Sequence, residues 1–383
     1  MPSRVSFLVP LLLLAASAAG AEPPFRTELS VGFTRDAIAT DRPLVVLDGT
    51  PAAGYDYSAD EGTRRLEVAA TRWLGAVPDD GTTPLSLLPY VARVSSASAR
   101  VAVAGASRDS FGRASGQLAT YEVWYAGDGS LREAELSGEW FVGRGLALRG
   151  GLAHGRERET AASTSLESPS GRADVGTATT RAKVTSGTLG AALRLGEHEV
   201  SFSGTYGASD RSREDATVFT GGSLPLFSRL TTDGVTRRGR VGARLLLLGR
   251  RLAVDLSGEY ALATSSSDLY TTLSGPYAKG RTIGRRAALE ATWHPTRRLA
   301  VGGGLAYETR DASSGSARAL RPSSEETTRT IGFAARWYAT DRVAVSFGAS
   351  RSESESVSPP GGTTYQRFDE TATVLRLGAA VRF

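Results

Sequence analysis

Apolar and polar residues alternate with period two along segment after segment of this 383-residue chain. Leu252, Val254, Leu256, Gly258 and Tyr260 are interleaved with Asp255, Ser257 and Glu259. Leu299, Val301, Gly303, Leu305 and Tyr307 are interleaved with Ala300, Gly302, Gly304, Ala306 and Glu308. Successive strand side chains point to opposite faces, so this pattern dictates a sheet with one apolar and one polar face. Two incoming segments behave alike: Ala134, Leu136, Gly138 and Trp140 oppose Glu133, Glu135, Ser137 and Glu139, and Val241, Ala243 and Leu245 oppose Arg240, Gly242 and Arg244. No helical period competes over a comparable length. Composition agrees, since 44 Gly, one Met and no Cys suit strands and turns and leave no disulfide scaffold.

The same unit recurs. WFVGRGLALRGGLAH from Trp140, WHPTRRLAVGGGLAY from Trp293 and WYATDRVAVSFGAS from Trp337 each carry a Trp, a tight turn and a new alternating stretch. Short turns fall near 142–145, 196–199, 249–251, 294–298 and 339–342, while longer polar stretches cover 156–176, 209–234, 265–280, 309–326 and 351–368. Short and long connections therefore segregate to opposite ends of the sheet, a division expected of membrane barrels rather than soluble sandwiches.

Residues 1–21, MPSRVSFLVPLLLLAASAAGA, have the layout of a cleaved signal peptide: one arginine, an apolar run, then small residues. Residues 22–383 then form a single barrel domain. Removing Arg4 with the leader lowers the formal net charge from +5 to +4, too mild a balance to argue for nucleic acid. No uninterrupted apolar run after the leader exceeds four residues, as in Leu245 to Leu248, far short of the ~20 residues a membrane helix needs.

The chain ends on VLRLGAAVRF, Val374 to Phe383, an alternating strand with a terminal aromatic residue. With the segregated turns, this resembles the bacterial outer-membrane β-barrel proteins, porin-like and without one family standing out. The resemblance implies an all-β, transmembrane, antiparallel up-and-down barrel in the outer membrane of a Gram-negative-type bacterium. It also implies periplasmic short turns, long extracellular loops, and recognition of Phe383 by the barrel-assembly machinery. The segments 27–36, 63–75, 85–94, 98–107, 115–126, 131–141, 146–157, 177–195, 199–209, 234–248, 252–264, 281–293, 299–309, 326–338, 343–351 and 368–383 make about sixteen strands. Fourteen is the alternative, because 76–98 contains three prolines and reads equally as one long connection.

In lipid a sheet crosses only if it closes, so the last strand must pair with the first, near 27–36. Trp140, Trp293 and Trp337 precede short turns and mark one interface with outer-membrane lipid; Tyr206, Tyr260 and Tyr307 mark the other. The opposite parity brings Arg149, Arg194, Arg240, Arg244, Arg336 and Arg376 to the lumen, with Glu133, Glu135, Asp255, Glu259, Glu290 and Glu308. Small residues such as Gly302, Gly304, Ser346 and Gly378 widen that space. These rows predict a passive channel for small hydrophilic solutes; an occluded, loop-functional barrel is the competing reading. Three histidines with no clustered nucleophile point away from an enzyme, and no metal-ligand spacing or cofactor motif is present. The acidic stretch Asp41, Asp48, Asp56, Asp60 and Glu61 reads as a solvated loop.

Overall fold

The computed structural model describes residues 25–46, 55–74, 82–88, 90, 97–116, 120–143, 145–168, 172–219, 226–271, 278–316, 319–358 and 366–382. Fourteen strands close into one antiparallel barrel. In chain order they are β1 (Phe25–Val46), β2 (Tyr55–Leu74), β3 (Ala97–Gly116), β4 (Thr120–Gly143), β5 (Leu146–Ser168), β6 (Arg172–Leu195) and β7 (His198–Phe219). They continue as β8 (Leu226–Leu247), β9 (Leu252–Thr271), β10 (Ala278–Thr296), β11 (Leu299–Ser316), β12 (Ala319–Tyr338), β13 (Val343–Ser358) and β14 (Gln366–Arg382).

Every strand pairs with its chain neighbours, and β14 closes on β1 from Ser30↔Arg382 to Val46↔Gln366. The terminal strand is thus tied down along its whole length, which leaves no edge unpaired in lipid. Phe383 and residues 1–24 lie outside the described residues, and with them the stretches expected to be a leader and an assembly signal.

The count is the lower of the two expected, and both superfluous strands have a physical explanation. Of segment 85–94, the described residues 85–88 and 90 form no strand but make tight turns, with Leu87 N–H donating to Pro84 O and Tyr90 N–H to Leu87 O, each at 2.9 Å; 89 and 91–94 lie outside the described residues. Segments 115–126 and 131–141 are one strand, β4; Gly127 and Gly129 between them sit in register opposite Ser110 and Arg108. A glycine read from sequence as a break is here a residue on a continuous ladder.

The stretches read as long loops are largely strand too. β5 and β6 stay paired from Leu146↔Leu193 up to Glu167↔Arg172, through most of 156–176. Asp41, read in a loop, pairs in register with Ser58, and Asp56 with Pro43; Asp48 lies outside the described residues. Strand lengths run from 16 to 24 residues, whereas crossing the hydrocarbon needs only ~9–11. The sheet therefore rises well above its apolar band, highest along β4 to β7.

That band is outward and continuous. Trp140, Trp293 and Trp337 remain 64%, 54% and 55% exposed at the short-turn end; Tyr260 and Tyr307, eight residues up from Leu252 and Leu299, are exposed toward the other end, as is Tyr206. Between them lie exposed Leu136, Leu152, Leu189, Phe202, Leu256, Leu289 and Leu305. Large apolar side chains outside and charges inside are the inverse of a soluble barrel.

Candidate functional site

The lumen gathers polar chemistry, because closure turns every second residue of fourteen strands inward. All twelve charged residues expected on the lumenal parity face it, and most are paired. Arg149 and Arg194 bridge Glu139 and Glu199 in a ring of four residues from β4 to β7. Arg149 Nε donates to Glu139 Oε2 at 3.0 Å and Nη2 to Glu199 Oε1 at 2.7 Å. Arg194 Nε donates to Glu199 Oε2 at 3.1 Å and its Nη2 to Glu139. Glu139, Arg194 and Glu199 are buried, and the Arg194 guanidinium lies 4.7 Å from the Phe141 ring centroid. Two guanidinia and two carboxylates cancel in charge and share their hydrogen bonds, which is what makes burial of four ions tolerable.

Other pairs climb the same side. Arg65 contacts Glu133 at 2.7 Å and Arg100 contacts Glu135 at 3.4 Å, with Glu67 bound to Arg100 as well. Across the barrel Arg376 grips Asp36 through two bonds of 2.9 and 2.8 Å, stapling the β1–β14 seam. Arg244 holds Asp255 at 2.5 and 3.0 Å. Glu259 pairs with Arg238 at 3.0 Å, while Arg240 stands opposite it in register. Glu308 accepts from Arg310 at 2.6 Å. Glu290 and Arg336 line open lumen beside Gly302, Gly304 and Ser346. Arg65, Glu67, Arg100 and Glu199 were not among the expected lumenal residues; the inward parity of β2, β3 and β7 is the signal that identifies them.

The unforeseen element is the β2–β3 connection. Its described residues, 82–88 and 90, turn into the lumen at the short-turn end and are held from four sides. Leu85 N–H donates to Arg297 O at 2.9 Å, and Tyr90 Oη donates to Glu197 O at 2.8 Å. Arg250 Nη1 donates to Thr83 Oγ1 at 2.7 Å while its Nε holds Glu197. The Arg244 guanidinium lies 5.0 Å from the Tyr90 ring centroid. Leu87 and Tyr90 bury against Leu246 and Ala253, and Leu85 against Tyr338 and Ala344.

The β8–β9 turn bears a cost for this clasp. Leu248 and Arg250 adopt φ of 53° and 68°, beside Gly249 at 60°. Left-handed backbone costs a side-chain-bearing residue about 1–2 kcal/mol, here offset by the bonds Arg250 makes.

Above the segment the lumen is open. One cavity of about 640 Å³ has Ser86 and Leu87 at its floor, and Arg244, Asp255, Glu290 and Arg336 on its walls. A second of about 770 Å³ lies against β1 to β6, lined by Glu67, Arg100, Glu135, Glu139 and Arg149 and sharing Arg336 with the first. The pairing leaves the wall polar yet nearly neutral.

Fold and lumen define a transmembrane β-barrel with a charged interior and a segment seated across one end. Solved structures of bacterial outer-membrane barrels share the architecture. A Pseudomonas aeruginosa FadL homologue superposes with a TM-score of 0.53 at 10% identity, over 92% of this chain and 90% of its own. The P. putida toluene transporter TodX gives 0.51 at 10% identity, over 94% and 91%. At such identity the likeness is one of fold. No protein-family model and no curated protein sequence matches the chain.

Proposed function

We propose that this barrel is an outer-membrane channel for small hydrophilic solutes whose periplasmic mouth is narrowed by segment 82–90. The observation that carries the reading is the lumen itself: two cavities of about 770 and 640 Å³ walled by ion pairs, hydroxyls and glycine, the smaller with the segment as its floor. Paired charges hydrate a passing solute without trapping it, which favours entry and release of small polar molecules. The TodX relative is named as a toluene transporter, and a hydrocarbon needs an apolar path. Arg149, Arg244, Glu290 and Arg336 along both cavities make this interior a poor one for such a cargo.

Conductance across planar bilayers tests the proposal. Wild-type protein is expected to open in small steps, and Leu85→Ala/Tyr90→Ala, which removes both apolar anchors and the Tyr90–Glu197 bond, in several-fold larger ones. Silence from both proteins would overturn the channel in favour of a closed structural barrel. Equal steps from both would remove the segment from the conduction path.

A further inference from the structure

The outer face of β4, β5 and β6 carries a group of cations that neither the barrel's closure nor its lumen uses. Arg132, Arg156 and Lys183 stand directly opposite one another in a single cross-strand row. Arg158 and Arg181 form the next row above. All five have the parity of Leu136, Leu152 and Leu189, so they point outward, and all five are exposed. Among the described residues none of them is ion-paired; Arg156 makes only a 3.4 Å contact to His154.

This arrangement is unfavourable for the isolated protein. Directly opposed residues have Cβ atoms about 5 Å apart, and like charges there repel. Carboxylates are close but do not neutralise the row: Asp210 faces Lys183 from β7, and Asp109 and Asp128 oppose each other on β3 and β4 above it. Elsewhere around the outer face cations are fewer to a row: Arg35 and Arg64 oppose each other as one pair on β1 and β2, between Leu377 and Ser107, and others have partners. Arg285 has Asp311 at 3.6 Å, Arg351 has Glu353 at 3.2 Å, and Arg237 and Arg329 stand opposite Tyr206 and Tyr307.

Height identifies the missing partner. The row lies four residues above the register row of Leu136, Leu152, Gly187 and the girdle residue Tyr206, just past the apolar band. There the neighbours are lipid headgroups, and guanidinium forks match phosphate oxygens two at a time. We propose that Arg132, Arg156 and Lys183, supported by Arg158 and Arg181, bind the phosphate groups of a phosphorylated lipid in the outer leaflet. The site holds that lipid against the tallest wall of the barrel. It rests on the membrane placement of the fold and not on channel activity, so conductance results leave it untouched.

The test uses the full barrel in phosphatidylcholine bilayers doped with bis-phosphorylated lipid A or with its dephosphorylated counterpart. Retained lipid is then counted by native mass spectrometry after detergent extraction. Wild-type protein is expected to keep the phosphorylated lipid and lose the other. Arg132→Ser/Arg156→Ser/Lys183→Ser should weaken retention on the order of a hundredfold, at about fivefold per surface cation. Equal retention by variant and wild type, or of both lipids by wild type, overturns the site.

A second measurement guards against a folding defect in the triple variant. Arg156→Ser relieves the repulsion on both sides, so in neutral detergent its melting temperature should match or exceed wild type. With phosphorylated lipid present the order should reverse. A variant less stable than wild type in both media would show that the row needs no anion, and would overturn the proposal.

Discussion

The two halves of the barrel wall solve the problem of an enclosed interior in opposite ways. Along β4 to β7 four inward charged residues near the short-turn end, Glu139, Arg149, Arg194 and Glu199, form a ring that satisfies itself so completely that three of its members are buried. Along β10 to β14 the charged Glu290, Arg336 and Arg376 stand apart among small inward residues, Ala300, Gly302, Gly304, Gly332, Ala344, Ser346 and Gly348, with no such ring. Strands are longest on the first side, 22 to 24 residues, and shorter on the second, 16 to 20. Both walls border open lumen, but only the first carries a buried ring that braces it.

The sharpest break of that contrast is Arg194→Ala. It strands Glu139 and Glu199 with one guanidinium between them in a buried setting, and a buried pair broken from one side costs about 3–5 kcal/mol. Urea unfolding of the folded barrel in lipid vesicles reads the loss as a lower midpoint. An unchanged midpoint would show that water already reaches the ring and that the β4–β7 wall is no brace.

A change on the small-residue wall should instead alter conduction and spare stability. A Cβ at Gly348 would meet only Phe333 O at 3.6 Å and Arg376 Cβ at 3.7 Å, both ordinary contacts. Gly348→Leu therefore adds bulk to the lumen without displacing backbone, and single-channel conductance should fall while the urea midpoint shifts by less than about 1 kcal/mol. Gly304 offers the contrast, since a Cβ there comes within 2.9 Å of Glu290 Cγ and 3.2 Å of Leu289 O. Gly304→Leu should lower both quantities. Conductance unaffected by Gly348→Leu would place the path on the other side of the barrel.

What was legible beforehand, and what was not, follows the same division between local pattern and distant contact. Alternation is local, so the inward parity of Arg149, Arg194, Arg244 and Arg376 and the outward parity of Trp140, Trp293 and Trp337 could be read from the strands themselves. Strand number could not, because Gly127 and Gly129 look like a turn until Ser110 and Arg108 stand opposite them. The seated segment was hidden for a stronger reason. Leu85, Leu87, Leu88 and Tyr90 look like an apolar strand, and only contacts more than a hundred residues away, Tyr90 to Glu197 and Thr83 to Arg250, show that they fill the end of the lumen. The ring is of the same kind, since Glu139 and Arg194 are 55 residues apart.

A smaller effect tests whether charge on the open side reaches the solute path. Arg240 is exposed on the lumenal face of β8, and Arg244 is shared between Asp255 and the Tyr90 ring. Arg240→Ser/Arg244→Ser removes two positive charges and leaves Asp255 and Glu259 in place. The reversal potential in a salt gradient should move toward cation selectivity. An unmoved potential would put both arginines off the conduction path.

The smallest expected effect lies at the seam. Arg376 and Asp36 join the last strand to the first through two well-formed bonds, yet the Arg376 side chain is 59% exposed. Water already solvates the guanidinium, so the pair competes with hydration as the buried ring does not. Exposed pairs of this kind contribute about 0.2–1 kcal/mol, and Arg376→Ala should shift the urea midpoint by that little. The β1–β14 ladder, fifteen register pairs long, carries closure without it. A loss as large as that of Arg194→Ala would mean that the seam, rather than the β4–β7 wall, is where the barrel is braced, and would reverse the comparison between the two sides.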